Sequence, residues 1–300
     1  MSRSPLSAAV LRLAPLVAVL TLLGAGQAIA SPTPMLSCAG LPCAKVQIAD
    51  GKTLTLAIDT GNSASLLDLA RAKALGLTVT PYLDEQNKPI DGYFITKLND
   101  VRLGGESLGD FKVLVVDLAQ TIAKGDFPPA EGTLSYVNLK NHRLVLDYRH
   151  HTVEVPNSAE AAPCAAACGA ISYPTFGKKG PPIVVTTGFA VNGQPITVQV
   201  DTLYSGNLLI YDASIDKLHL RAAASGATVR RFPFTDGGVD MIESRADKET
   251  FGAKAGRTSL YFPTPKVHQP DGMFDGTVGV EAFQGRVVTL DFGANRFWLG

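Results

Sequence analysis

Apolar and polar residues alternate through Leu54, Leu56 and Ile58, and again through Ile196, Val198 and Val200. That period of two is the mark of a strand with one face in a core. Asp50-Gly51 and Asn192-Gly193 stand just ahead of these runs and predict tight hairpin turns, since both residue pairs tolerate positive φ. Further strands are predicted over residues 100–103, 111–116, 143–147, 183–187 and 287–292. A helix is predicted over 65–75, where Leu66, Leu67, Leu69, Ala70 and Leu75 are apolar, and its counterpart begins near Asp212 as a candidate N-cap. The pattern is mainly β, with one or two short helices in each half.

The halves repeat. At a shift of 142, residues 50–67 fall on 192–209 without a gap, and seven of the eighteen positions are identical: Gly51, Thr55, Asp59, Thr60, Ser63, Leu66 and Leu67. About one identity is expected by chance at ordinary residue frequencies. A second block repeats at a shift of 144: Glu131-Gly132-Thr133-Leu134-Ser135 matches Asp275-Gly276-Thr277-Val278-Gly279, and Leu146-Asp147-Tyr148 matches Leu290-Asp291-Phe292. Two blocks in the same order imply a duplicated domain. The expected boundaries are a lobe over 31–156, a linker rich in Ala, Pro, Gly and Lys over 157–181, and a lobe over 182–300.

Residues 1–30 stand apart. Arg3 and Arg12 precede an uncharged apolar run from Leu13 to Ala25, which ends in Ala28-Ile29-Ala30, the layout of a secretory signal with a small-residue cleavage site. The run is shorter than the roughly 20 residues of a membrane-spanning helix, so no stable membrane insertion is expected after cleavage and the mature chain is expected to be periplasmic or secreted. The whole chain has 27 basic and 27 acidic side chains, and a neutral balance gives no footing for a nucleic-acid partner. The cysteines Cys38, Cys43, Cys164 and Cys168 fit two disulfides in an oxidising compartment, with three connectivities open. Spacings of four and three intervening residues fit a zinc site poorly, and no metal is expected.

The chemistry centres on two aspartates. Asp59 ends a buried strand and is followed by Thr60-Gly61-Asn62-Ser63, while Asp201-Thr202 ends the matching strand of the other half. A carboxylate taken out of water needs hydrogen bonds or a group that shares its proton; one such residue reads as an Asx-turn, but two at matching positions point to a paired site. Asp59-Thr60-Gly61-Asn62-Ser63 resembles the D-T-G-x-S motif of the retropepsin and pepsin-like aspartic proteases, and the resemblance extends over both lobes. It implies two β-barrel lobes related by pseudo-twofold symmetry, with Asp59 and Asp201 meeting at the axis and sharing one proton. It implies that Thr60 and Thr202 brace the loops across the axis, that Gly61 allows a sharp turn, and that Ser63 and Ser205 support the loops. Thr277-Val278-Gly279 fits the apolar-apolar-Gly element that packs over the family's catalytic loop, and Thr133-Leu134-Ser135 is its lobe 1 version. Peptide-bond hydrolysis by an activated water, with no cofactor and a peptide or protein substrate, follows from the resemblance, as does a monomer that carries both halves of the site.

The motif departs from the family at Leu203, which stands where a glycine is usual and is expected to strain its loop or displace Asp201, and at Asn62, Tyr204 and Ser135. A pepsin-like fold that binds a ligand without cleaving it is the alternative reading. The flap over the cleft is expected from a hairpin turning at residues 89–94, with Tyr93 as its candidate aromatic. His150-His151 reads as a surface pair, because adjacent strand positions face opposite ways. No H-E-x-x-H or Gly-rich phosphate loop is present.

Overall fold

The computed structural model describes residues 32–121, 129–156, 168–175, 180–215, 218, 229–232, 239–251, 254–263 and 273–300. The signal segment and Cys164 lie outside them. The duplication seen in the sequence is reproduced strand for strand. In lobe 1, Leu41–Gln47 and Thr53–Asp59 form a hairpin; Gly132–Ser135 runs parallel to Thr53–Asp59; Leu66–Asp68 pairs with Gly132–Ser135 and with Glu106–Val116. In lobe 2, the same order is built from Val185–Val191, Gln194–Val200, Gly276–Val278, Leu208–Ile210 and Lys254–Pro263. Even the register is kept, with Leu56 opposite Gly132 and Val198 opposite Gly276.

The hairpin turns form where Asp-Gly and Asn-Gly predict them. Asp50, Gly51, Asn192 and Gly193 all have positive φ. The predicted 65–75 helix is shorter. Leu66–Asp68 is a strand, and the helix is Leu69–Ala74, with the Asp68 side chain accepting from Arg71 N–H at its start. Burying Leu67 between two strands overrides the helical spacing of Leu66, Leu67 and Ala70. Ile183 and Val184 are buried but precede the strand, which spans Val185–Val191. Within the predicted linker, Gly169–Ser172 is a strand.

The lobes join through a shared sheet. Arg143–Asp147 pairs antiparallel with Val287–Asp291, and Thr152–Glu154 and Arg296–Leu299 flank them as the outer partners. Val145 lies opposite Thr289, its own counterpart at the shift of 144, so the pseudo-twofold axis passes through this pair. Thr33–Pro34 is the edge strand beside Thr152–Glu154, whereas Gly169–Ser172 pairs with Arg296–Leu299 and leads on to Val185–Val191. The core runs without a break from Leu54, Leu56 and Ile58 in one lobe to Val198, Val200 and Phe283 in the other.

Tyr148 in this region packs tilted against Phe283, with ring centroids 6.0 Å apart, and burial pushes its hydroxyl pKa up. Its hydroxyl finds no hydrogen-bond partner among the described residues, whereas its lobe 2 counterpart is Phe292. An unpaired buried hydroxyl costs about 1–3 kcal/mol. Tyr148→Phe is therefore expected to raise stability by about 1 kcal/mol in urea unfolding, and a loss of that size would show that the hydroxyl is paired.

Candidate active site

Each aspartate is delivered by the strand that the alternating pattern predicts. Leu54, Leu56 and Ile58 are buried and carry the chain to Asp59, which is itself 5% exposed. The parallel neighbour must come close, and this sets its sequence. A Cβ on Gly132 would lie 2.1 Å from the Leu66 carbonyl oxygen, and one on Gly276 would lie 2.0 Å from that of Leu209. The acid before each glycine staples the same strand: Glu131 accepts from Thr55 N–H at 2.6 Å and pairs with Arg71 at 2.6 Å. Asp275 accepts from Thr197 N–H at 2.9 Å and from the Ser214 hydroxyl at 2.8 Å. The repeated acid-Gly-Thr block shows in the sequence, but this role of its acid does not.

The two loops meet at the axis. Thr60 N–H donates to Thr202 Oγ1 and Thr202 N–H to Thr60 Oγ1, both at 3.1 Å. The hydroxyls then reach past one another, Thr60 Oγ1 to the Val200 carbonyl at 2.8 Å and Thr202 Oγ1 to the Ile58 carbonyl at 2.5 Å. Both threonines are fully buried. This reciprocal set joins residues that are 142 apart in sequence and holds the aspartate-bearing loops face to face.

Gly61 is at this centre for a reason other than turn geometry. Its φ is not positive; instead a Cβ there would lie 2.3 Å from Asp201 Cγ, so the lobe 2 carboxylate occupies the space a side chain would take. Asp59 Oδ1 accepts from Gly61 N–H at 3.1 Å. Asp201 Oδ1 accepts from Leu203 N–H at 2.8 Å and from Tyr204 N–H at 3.2 Å. Burial raises the pKa of both carboxyls. Asp59 is pushed well up, also by the charge of Asp201, against the lowering effect of the Gly61 and Asn62 amides. The Leu203 and Tyr204 amides temper the rise at Asp201. Leu203 does not have the left-handed backbone that only glycine adopts freely, so the expected strain is absent.

The other departures from the motif are also accommodated. The Asn62 side chain is turned back to accept from Ala64 N–H at 3.1 Å. The Ser135 hydroxyl donates to the Asn62 carbonyl, and Ser135 N–H donates to Ser65 Oγ at 2.8 Å. In lobe 2 the chain itself closes in at this point: a Cβ on Gly279 would lie 2.2 Å from the Tyr204 carbonyl oxygen. Ser63 and Ser205 are both half-buried. Sequence reasoning missed Gln199, whose Nε2 donates to the Gly61 carbonyl at 3.0 Å, and Tyr211, linked through Thr277 at 3.1 Å. Burial first, and the charge of Asp201 in addition, raise the Tyr211 pKa, while the bond to Thr277 opposes them.

The hairpin beside the site turns at 84–88, not at 89–94. Asp84 Oδ1 accepts from Gln86 and Lys88 N–H, both at 2.8 Å, and Asn87 takes positive φ; Pro89–Leu103 is the returning strand, because its residues pair with Thr80–Leu83 and Glu106–Val116. Tyr93 lies on that strand and lines a cavity of about 350 Å³ together with Ser63, Ser65, Tyr82, Ile90 and Val137. The cavity thus abuts the Asp59 loop and is largely apolar. Cys38 and Cys43 form a disulfide, and Cys168 is also disulfide-bonded. His150 is exposed and its Nδ1 lies 2.9 Å from Asp147.

Residues 44–143 match the family model described as aspartyl protease. The matched span, a third of the chain, is similar to that family and carries Asp59, the candidate flap and the Ser135 element. No curated protein matches the chain in sequence. The crystal structure of an aspartic proteinase from Irpex lacteus is similar at 12% identity, covering 90% of this chain and 96% of that one with a TM-score of 0.49. Among the described residues no helix is long and apolar enough to cross a membrane.

Proposed function

We propose that the protein is an exported aspartic endopeptidase whose Asp59 and Asp201 act as one dyad. The reciprocal Thr60–Thr202 bonding carries this reading, since it draws both aspartate loops to one point. Two raised carboxyls in such a place hold a single proton between them. The ionised member takes a proton from water as it attacks the scissile carbonyl, and the protonated member donates to the carbonyl oxygen. A peptide would lie extended across the cleft, with an apolar side chain in the cavity beneath Tyr93. The chain acts as a monomer, each lobe supplying one carboxyl, with residues 1–30 as its export signal and 31–156 and 182–300 as its lobes.

The test is cleavage of a denatured protein mixture by mature protein from pH 3 to 7, with and without pepstatin. Pepstatin-sensitive cleavage is expected, rising on the acid side where the pair keeps its shared proton. Folded, disulfide-bonded protein that cleaves nothing over this range would replace the reading with that of a binding protein.

A further inference from the structure

The pseudo-twofold axis relates Gly61 to Leu203 and Ala57 to Gln199, and at both pairs the sizes are exchanged. Where lobe 1 has the small Gly61, the long side chain of Gln199 comes across and donates to its carbonyl. The same operation brings residue 203 beside residue 57, and there the small partner is Ala57, which is fully buried. Leu203 packs against the cluster formed by Ala57, Cys38 and Cys43, with Leu36 and Ala130 at its margin. Exact symmetry is excluded. A Cβ on Gly61 would lie 2.3 Å from Asp201 Cγ, closer than atoms approach, so Leu203, which has a Cβ, cannot sit against Asp59 as Gly61 sits against Asp201, and the lobe 2 loop is set differently from its twin.

The geometry points to Leu203 as a positioning residue, a key seated in a lobe 1 pocket walled by the Cys38–Cys43 hairpin that fixes where the Asp201 carboxylate is presented. The link is short. The N–H of Leu203 donates to Asp201 Oδ1 at 2.8 Å, so the backbone that anchors the leucine also holds the carboxylate. The leucine is thus a fitted substitution for the family's glycine, and the disulfide is part of the dyad's support. This inference rests on the dyad proposed above.

The experiment compares kcat, KM and pH profile for the wild type, L203G, L203M and the C38A/C43A pair. A displacement of about 1 Å in a catalytic group costs up to about a hundredfold in rate. L203G, although it restores the family residue, is expected to lower kcat roughly ten- to a hundredfold with KM nearly unchanged and a displaced acid limb, and L203M is expected to recover most of the loss. C38A/C43A should lower kcat likewise and add little in the L203G background, because the two changes remove one seat. L203G as active as wild type, or losses that multiply in the combined variant, would overturn the inference. If the wild type itself cleaves nothing, the dyad reading fails first; carboxyl titrations of Asp59 and Asp201 by NMR then decide, and titrations unchanged in folded L203G would overturn the seat as well.

Discussion

Asp59→Asn should lower kcat/KM by at least about 10²- to 10⁴-fold, the usual worth of a positioned acid or base, and Asp201→Asn should do the same. The two losses should not multiply in the double variant, because the carboxyls act on one shared proton. The same change should stabilise the fold at neutral pH. Asp59 has its pKa raised in the native state by burial and by Asp201, so the native chain holds that proton more tightly than the unfolded chain. The stabilisation is therefore fully present below the ordinary carboxylate range and is lost as pH rises through the raised native value. Asn does not titrate, so thermal melts should show Asp59→Asn above the wild type at pH 7, with the gap closing toward pH 3. A variant retaining full activity would remove Asp59 from the mechanism, and a gap that widens in acid would contradict the raised pKa.

Asp291→Ala should be the most damaging single change away from the dyad, at about 3–5 kcal/mol, as expected when one member of a buried ion pair is removed. Arg143 and Asp291 face one another across the inter-lobe strands, with Nε 3.1 Å from Oδ2 and both residues buried. Asp291 also accepts from Ala294 N–H at 2.9 Å, and the Arg143 guanidinium lies 5.9 Å from the Trp298 ring centroid. Truncation at 291 leaves the arginine charge buried without this carboxylate. Replacing the pair together, as Arg143→Met with Asp291→Leu, should recover much of the loss, because removing both charges also removes their desolvation cost. Urea unfolding of the three variants measures this, and a loss below about 1 kcal/mol for Asp291→Ala would mark the pair as solvent-screened.

Much of the site was legible because it is local or repeated. The strand leading to Asp59 shows in its period of two, the turns at Asp50-Gly51 and Asn192-Gly193 in their dipeptides, and the correspondence of Asp59 with Asp201 in the 142-residue shift. The predicted helix at 65–75 failed in its first turn because Leu66, Leu67 and Ala70 satisfy a helical spacing as well as a strand does over so short a run, and only the pairing of Leu66–Asp68 with Gly132–Ser135 and Glu106–Val116 decides between them. The turn chemistry of residues 89–94 predicts the hairpin turn there, whereas the Asp84 carboxylate, by accepting from Gln86 and Lys88 N–H, sets it at 84–88.

The sequence by itself determined that the chain is duplicated and that each half ends a buried strand in Asp-Thr, since identity at a fixed shift survives without any knowledge of contacts. Only the tertiary structure decided what Gly61 and Leu203 are for. Their roles depend on atoms from the opposite lobe, the Asp201 carboxylate against Gly61 and the Cys38–Cys43 hairpin against Leu203, and contacts across so many positions leave no periodicity or local motif by which they could be read.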